Sequence, residues 1–304
     1  MPSLPPPRYT MDPMPFIPKS FFARCAGLLA FVLLQGCSTL QFGYNQAPSL
    51  GYWWLDSQLS LDSGQSERTR ETLQQLQRWH REKELLVYAD LLQKLQTLGT
   101  GDLDAQQVCG VWNQVNEGMD RFMTQAIRLS APIALQLQPR QLRHLARHQE
   151  DKNEDWEKEW LRGSAEERLQ RRLEKTVSRY SDFYGNLSEA QTELVRSQLQ
   201  KSLWTAEWGR QDRLRRQQSL LSALQRLQQE GTNTAQAESL LRSVWQQWLQ
   251  PPAAADRQLY KDFIAQSCQN LAALHNSTSA EQRQRAVRRL RAYEKDLREL
   301  AGRS

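Results

Sequence analysis

The spacing of apolar residues constrains the fold of this chain more than any other feature of its sequence. From Glu67 to Leu98 the large apolar residues recur at intervals of three and four, and the same spacing returns in later segments as far as Leu300. This spacing places apolar side chains on one face of an α-helix. No stretch of five or more residues alternates convincingly, as a half-buried strand would. The sequence therefore predicts an all-α protein of about eight amphipathic helices in an elongated irregular bundle, without a β-sheet.

The predicted helix starts share a capping pattern. In the clear examples Ser or Asp is followed three residues later by Gln or Glu: Asp104–Gln107, Ser164–Glu167, Ser188–Gln191 and Ser279–Gln282. A weaker example begins at Gln138. In such a capping box the first side chain accepts a backbone N–H and the third residue after it bonds back to the cap. The intervals between these starts are irregular, so we interpret them as shared capping chemistry rather than the fixed period of a solenoid.

Tryptophan is abundant, and ten such residues argue against a disordered chain. Trp156 and Trp160 fall on the predicted inner face of one helix, and Trp245 and Trp248 on that of another. A longer helix is predicted to start after Ser188 and to continue to residue 229, with its bend at residues 208–209.

The amino-terminal segment has the pattern of a bacterial signal peptide. The basic residues Lys19 and Arg24 precede an apolar run over residues 25–34. This run has ten residues, about half of the number that a membrane-spanning helix needs. The run leads into Leu-Gln-Gly-Cys at residues 34–37. This resembles the lipobox that lipoprotein signal peptidase recognises, although Gln35 departs from the small residue that is usual there.

The lipobox predicts a chemical role for Cys37, at which the precursor is cut and lipidated. Lipoproteins of this type in Gram-negative bacteria carry three acyl chains, and several chains hold a protein stably on a membrane. Ser38 replaces the Asp that often retains such proteins in the inner membrane. The resemblance therefore implies the inner leaflet of the outer membrane, facing the periplasm. The proline-rich start leaves Met11 and Met14 open as translation starts.

Two interpretations are open for the cysteines that follow Cys37. Cys109 and Cys268 each lie in a helical pattern on a semi-apolar face, where free cysteine is common. We favour two buried, unpaired thiols that are not close to each other. The alternative is a disulfide, which the oxidising periplasm permits and which would close a loop of about 160 residues.

No constellation of residues indicates an enzyme. The sequence has no Gly-x-Ser-x-Gly elbow and no glycine-rich phosphate loop. His144 and His148 have a metal-like spacing of four residues, but Leu145 stands where a zinc-protease helix has Glu. We interpret both histidines as part of a solvated polar face, so that they remain a weak metal candidate, and we predict no cofactor.

The charge pattern argues against a nucleic-acid partner. The net charge of +6 is small for a chain of 304 residues, and both signs are interleaved along every predicted helix. A nucleic-acid interface gathers basic residues on one face instead.

Five aromatic residues lie between residues 42 and 54, directly after the predicted anchor. Two interpretations are open for this segment. Tryptophan and tyrosine favour membrane–water interfaces, so it could form a membrane-proximal belt. Alternatively the segment docks on the helical core and buries Trp53 or Trp54, since burial of tryptophan is energetically large. We favour docking.

Several of these motifs resemble a family of Gram-negative lipoproteins of unknown function. They are Gly36-Cys37-Ser38, Gly43-Tyr44-Asn45, Trp53-Trp54-Leu55-Asp56, Trp79-His80, Glu166-Glu167-Arg168-Leu169 and helix starts of the Leu-Ser-x-x-Gln type. The resemblance covers about residues 30–230. The family has no assigned activity, so the resemblance implies lipidation and an envelope location but no catalytic residue. We regard Tyr44, Asn45, Trp53, Trp54 and Asp56 as a candidate interaction segment.

We divide the chain into a signal peptide (1–36), a lipid-anchored tether and aromatic segment (37–61), a helical domain (62–230) and a C-terminal helical extension packed on it (231–304). The predicted function is that of a non-enzymatic, lipid-anchored scaffold that binds another envelope protein. One alternative is a periplasmic chaperone or carrier for an exported protein or lipid, which an apolar groove lined by tryptophans would favour. The other is an uncharacterised enzyme.

Overall fold

The computed structural model describes residues 39–229 and 231–302. These residues form eleven α-helices and no strand, so the all-α prediction is confirmed, whereas the expected number of about eight helices is wrong. The helices are α1 (Thr39–Leu59), α2 (Ser63–Lys83), α3 (Leu85–Leu98), α4 (Ala105–Ala134), α5 (Pro139–Trp160), α6 (Ala165–Tyr184), α7 (Glu189–Gln200), α8 (Ala206–Arg226), α9 (Thr234–Leu249), α10 (Ala254–Asn276) and α11 (Ala280–Ala301). The predicted signal peptide, Cys37 and Ser38 lie outside the described residues.

The first additional helix is α1, which occupies residues that we expected to form a tether. The second arises at Glu84, where α2 and α3 meet. Glu84 N donates to the carbonyl of His80 and Tyr88 N donates to the carbonyl of Glu84, at 3.0 Å each. Because the hydrogen bonding runs through the junction, the apolar spacing continues across it and conceals the break.

The third additional helix comes from a break in the long helix that we expected after Ser188. The chain leaves the helix after Gln200 and starts again at Ala206, ahead of the predicted bend at residues 208–209. Gln266 of α10 holds the intervening turn, because its side chain accepts from Leu203 N at 2.9 Å and donates to the carbonyl of Lys201 at 2.9 Å. The position of the break is therefore set by a partner helix that is distant in sequence.

The four clear capping boxes are confirmed, and two more begin at Asp62 and Asn233. At the weaker one the Gln141 side chain accepts from Gln138 N at 2.8 Å, but the Gln138 side chain makes no bond to the helix start. Four of the capping glutamines also bond to one another across helix starts, in two reciprocal pairs. Gln65 and Gln141 exchange amide hydrogen bonds of 3.2 and 2.7 Å, and Gln191 and Gln282 exchange bonds of 2.8 and 3.0 Å. A glutamine therefore completes its own cap with its oxygen and joins a second helix start with its nitrogen.

Contacts place Leu40–Ser304 in one compact unit. In it α9 and α10 pack against α4, and α11 packs along α3. The larger group of buried apolar residues comes from α4, α5, α8 and α9 and the turn after α4: Ala131, Ala134, Leu137, Leu142, Leu145, Leu224, Leu227 and Ala237. A smaller group joins α6, α7 and α10 through Leu173, Val195 and Leu274.

The structure joins Cys109 of α4 to Cys268 of α10 in a disulfide, with 5.5 Å between their Cα atoms. Our expectation of two unpaired thiols is therefore wrong. Cys268 is buried as expected, whereas Cys109 is only partly buried. Helical spacing carries no information on which two helices are neighbours. The pairing follows from the packing of α10 on α4.

Two glycines in α4 give opposite expectations for the same substitution. A methyl group at Gly118 would lie 2.7 Å from Cε1 of Tyr88, whose ring also packs on His80, whereas nothing lies within 4 Å of such a group at Gly110. We expect Gly118→Ala to lower the free energy of unfolding by about 1–3 kcal/mol through overpacking. Gly110→Ala should raise it by up to about 1 kcal/mol, because alanine favours a helix interior. Urea unfolding of the two variants measures both effects, and equal shifts would contradict the assigned close contact.

Candidate functional site

The inner face of α1 is bound to the rest of the unit by polar contacts. Gln41 is fully buried, and its amide nitrogen donates to Asp296 at 2.9 Å and to Glu299 at 2.7 Å. The hydroxyl of Tyr44 lies 3.1 Å from Nδ1 of His80, and that of Tyr52 donates to Ser66 at 3.2 Å. These bonds place α1 against α2 and α11.

Three residues of the candidate interaction segment therefore serve internal contacts. Tyr44 of α1 is half-buried against α2, and burial raises the pKa of its phenol. Asn45 accepts from the guanidinium of Arg81 at 2.9 Å. Asp56 accepts from the backbone N–H of Leu61 at 3.0 Å, just beyond the end of α1.

The outer face of α1 carries large apolar side chains in contact with solvent. The exposed fraction is 65% for Phe42, 61% for Leu50, 78% for Trp53 and 62% for Trp54. Our expectation that docking buries Trp53 or Trp54 is therefore wrong. The side of α1 that docks carries polar residues and, in its last turn, Leu59, which packs against the larger buried apolar group. No helix in the described part of the chain is long and apolar enough to cross a bilayer.

His144 and His148 of α5 contact the last turn of α1. Nε2 of His144 lies 3.1 Å from the carbonyl oxygen of Ser57, and Nε2 of His148 lies 2.7 Å from the amide nitrogen of Gln58. Their ring centroids are 6.5 Å apart. Within residues 39–229 and 231–302, no group of three or more His, Cys, Asp or Glu side chains could hold a metal ion. In this structure the two histidines connect α1 to α5.

An open groove of about 480 Å³ lies among α5, α8, α9 and α10. We call it the tryptophan groove. Its aromatic lining consists of Trp156, Trp204, Trp208, Trp248, Tyr260 and Phe263, and each of these side chains is partly exposed. Our prediction that Trp156 and Trp248 face inward is thus met only in part, because both end at the edge of the core.

The aromatic wall of the groove is held by ring contacts. Trp160 stacks on Trp156 with centroids 6.2 Å apart and meets Trp204 edge-on at 5.7 Å. The guanidinium of Arg172 lies 4.9 Å from the Trp204 ring centroid. Gly209 allows Trp204 to approach α8, since a methyl group there would lie 2.7 Å from the indole.

Polar side chains form the other wall and are paired with one another. Asp212 binds Arg215 and, through its second oxygen, Nε of Arg216 at 2.6 Å. Arg213 donates to Asn153 at 2.6 Å, and the amides of Asn153 and Gln217 bond to each other. The groove thus offers aromatic rings beside guanidinium and amide groups whose positions are already fixed.

Tyr260 is an aromatic residue of the groove lining that lies near the charged side chains of Asp212 and Arg216. Burial raises the pKa of its phenol; the nearby Asp212 carboxylate adds to this rise and the Arg216 guanidinium opposes it.

A buried carboxylate lies outside the groove, at the junction of α2 and α3. Arg121 of α4 donates to both oxygens of Glu84 at 2.8 Å, and the Glu84 side chain is 3% exposed. Burial and the Glu84 carboxylate raise the pKa of Tyr88 to about 12, and burial lowers the pKa of His80. Since Arg121 engages both oxygens, this group fixes α3 to α4 rather than offering a free base.

The sequence does not reveal the tryptophan groove, although it contains a signal for it. Trp204 and Trp208 lie four residues apart near a glycine, in a segment where the helical spacing is poor. Four tryptophans from three separate segments become one surface only when α5, α8 and α9 pack together.

No curated protein and no solved structure matches this chain significantly. One family model does match, over residues 57–251, which is more than half of the chain. The matched range includes all four tryptophans that line the groove and ends before Tyr260 and Phe263. The chain therefore belongs to DUF6279, a family of unknown function.

Proposed function

We propose that this protein is a lipid-anchored protein of the Gram-negative cell envelope that binds a segment of another protein in the tryptophan groove. The observation that carries the proposal is the lining of the groove. Tryptophan, tyrosine and arginine are the residue types that dominate the energetics of protein–protein interfaces, and here they surround one open cavity. The proposed role is that of a non-enzymatic scaffold.

The polar wall favours a protein segment over a lipid as the occupant. An acyl chain would cover Asp212, Arg213 and Arg216 without offering them hydrogen bonds, and burial of charged groups without new partners is costly. A peptide presents backbone N–H and C=O groups to the same side chains while its own side chains pack on the indoles. The openness of the groove also suits a segment of a larger protein better than an enclosed carrier cavity.

The anchor is the second part of the proposal. Residues 34–37 have the lipobox pattern, and cleavage there would leave Cys37 as the first residue of the mature chain. Ser38 in the next position supports transfer to the outer membrane. Lipid on Cys37 would then keep the helical unit at the periplasmic surface, where exported proteins are its available partners.

Site-specific photocrosslinking in intact cells tests the groove. A photoreactive amino acid at Gln217, which lines the groove, should give one discrete crosslinked product. The same amino acid at Glu281, which is exposed on α11 and outside the groove lining, should not. Adding Trp208→Ala should reduce the product from Gln217 at least tenfold, because it removes an aromatic contact at the interface centre.

Two controls separate the outcomes. Circular dichroism of Trp208→Ala establishes that the variant is folded, and Cys37→Ala establishes whether incorporation of radiolabelled palmitate requires the predicted anchor. The assignment of the groove would be overturned if the positions Gln217 and Glu281 gave the same crosslinked products. It would also be overturned if the product from Gln217 persisted in folded Trp208→Ala protein. Unchanged labelling of Cys37→Ala would overturn the assignment of the anchor.

A further inference from the structure

The largest apolar side chains of α1 face solvent, unlike those of an ordinary surface helix. Such a helix buries its apolar stripe and turns charged residues to water. In α1 the docked side carries Gln41, Tyr44 and Tyr52 together with Leu59 in the last turn, whereas the exposed side carries Phe42, Leu50, Trp53 and Trp54. We call these four residues the outer face of α1.

The outer face lies on one side of the helix, where the exposed residues between its members, Gln46 and Ser57, are uncharged. At 100° per residue, Phe42 and Trp53 lie within about 20° of each other, and Leu50 and Trp54 follow within about 120°. Across its 21 residues α1 has one charged side chain, Asp56, and that carboxylate is occupied at the end of the helix by Leu61 N. The outer face therefore lacks the charged residues that would keep such a surface in water.

Connection to Cys37 indicates what covers the outer face. Only Ser38 separates Cys37 from Thr39, the first residue of α1, and the two Cα–Cα steps between them span about 7 Å of extended chain. A lipid attached to Cys37 therefore brings the start of α1 to the headgroup region of a bilayer. Tryptophan, phenylalanine and leucine are the residues with which an interfacial helix enters that region, to a depth of about 5–10 Å.

We propose that the outer face of α1 lies in the headgroup region of the membrane, so that α1 is an interfacial helix that orients the protein beside its lipid anchor. This inference rests on the proposed lipidation of Cys37. Because the outer face is uncharged, the contact should not depend on anionic lipids or on salt. A second copy of the chain is the alternative occupant, but nothing brings it to this face as the lipid on Cys37 would bring the bilayer.

An environment-sensitive fluorophore on the outer face tests the proposal in the full acylated protein. Cys109 and Cys268 are paired and Cys37 would be blocked by lipid, so Leu50→Cys introduces a single free thiol for labelling. In vesicles of phosphatidylethanolamine and phosphatidylglycerol, we expect a blue-shifted emission from this position and at least twofold quenching by nitroxide-labelled lipids. The matched control is the same label on Gln74→Cys, since Gln74 is exposed on α2, and it should show neither effect. Trp53→Glu with Trp54→Glu should reverse both changes at Leu50→Cys.

The outcomes distinguish this inference from the proposed anchor. Protein that carries no acyl group and does not sediment with membranes would show that the anchor is wrong. Acylated protein whose Leu50→Cys label behaves like the label at Gln74 would overturn the membrane contact alone. Shielding that persists in detergent together with a dimeric mass, and that is insensitive to nitroxide lipids, would assign the outer face to a second copy and overturn the proposal.

Discussion

Replacement of both Cys109 and Cys268 by Ala is expected to lower the free energy of unfolding by about 5 kcal/mol. The two cysteines are 159 residues apart, so the disulfide closes a loop of more than half of the chain and strongly restricts the unfolded state. It also joins α4 to α10, and Cys268 is buried at that contact. Since a domain is usually stable by about 5–15 kcal/mol, the loss removes a large part of the total. Urea unfolding followed by circular dichroism measures it.

Reduction provides the control for this prediction. Wild-type protein in excess dithiothreitol loses the cross-link but keeps the cysteine side chains, so it separates loop closure from the small packing change that Ala introduces. We expect reduced wild-type protein to approach the double variant and the double variant to be insensitive to the reductant. If oxidised wild-type protein and the double variant unfolded at the same urea concentration, the cross-link would contribute no stability.

Gln141→Glu is expected to lower the free energy of unfolding by about 3 kcal/mol, although glutamate serves equally well in an isolated capping box. Gln141 is 1% exposed, and its amide nitrogen donates to the carbonyl of Ser60 at 3.1 Å and to Gln65 at 2.7 Å. A carboxylate cannot donate either bond, and it would place a buried negative charge against two acceptor oxygens. Chemical unfolding at neutral pH measures the loss.

Glu167→Gln is the matched substitution in the opposite direction. Glu167 completes the capping box that begins at Ser164, but it lies on the surface. Glutamine can make the same bond there, so the stability should change little. The deficit of Gln141→Glu should also shrink as the pH falls, because a protonated carboxyl regains a donor. Equal stability of Gln141→Glu and wild-type protein at neutral pH would show that the glutamine pair is not needed.

Gln141 and Glu167 show what could be predicted from the sequence and what could not. The capping pattern identified both positions as the third residue of a helix start, because that chemistry is local. It did not distinguish the buried member of an interhelical pair from the exposed one. The distinction depends on which helix starts come together, and the structure places the start of α5 against that of α2.

The candidate sites were likewise predicted in their local features but not in their contacts with other helices. The aromatic segment after Cys37 was recognised from composition, and α1 does carry it. The docked side was predicted incorrectly. Hydrophobicity favours burial of tryptophan, but the side of α1 that docks carries Gln41, Tyr44, Tyr52 and Leu59 instead. The tryptophan groove was not predicted, since its members are up to about a hundred residues apart and none is unusual in its own helix.

The sequence by itself determined the helical class, the capped starts at Asp104, Ser164, Ser188 and Ser279, the resemblance to a family of unknown function and the expected chemical role of Cys37. These depend on residue spacing and short motifs, which act over one or two helical turns. Tertiary structure decided the breaks at Glu84 and after Gln200, the pairing of Cys109 with Cys268 and the outward side of α1. Each of these depends on contacts between segments far apart in the chain, and helical spacing gives the buried face of a helix without naming the helix that covers it.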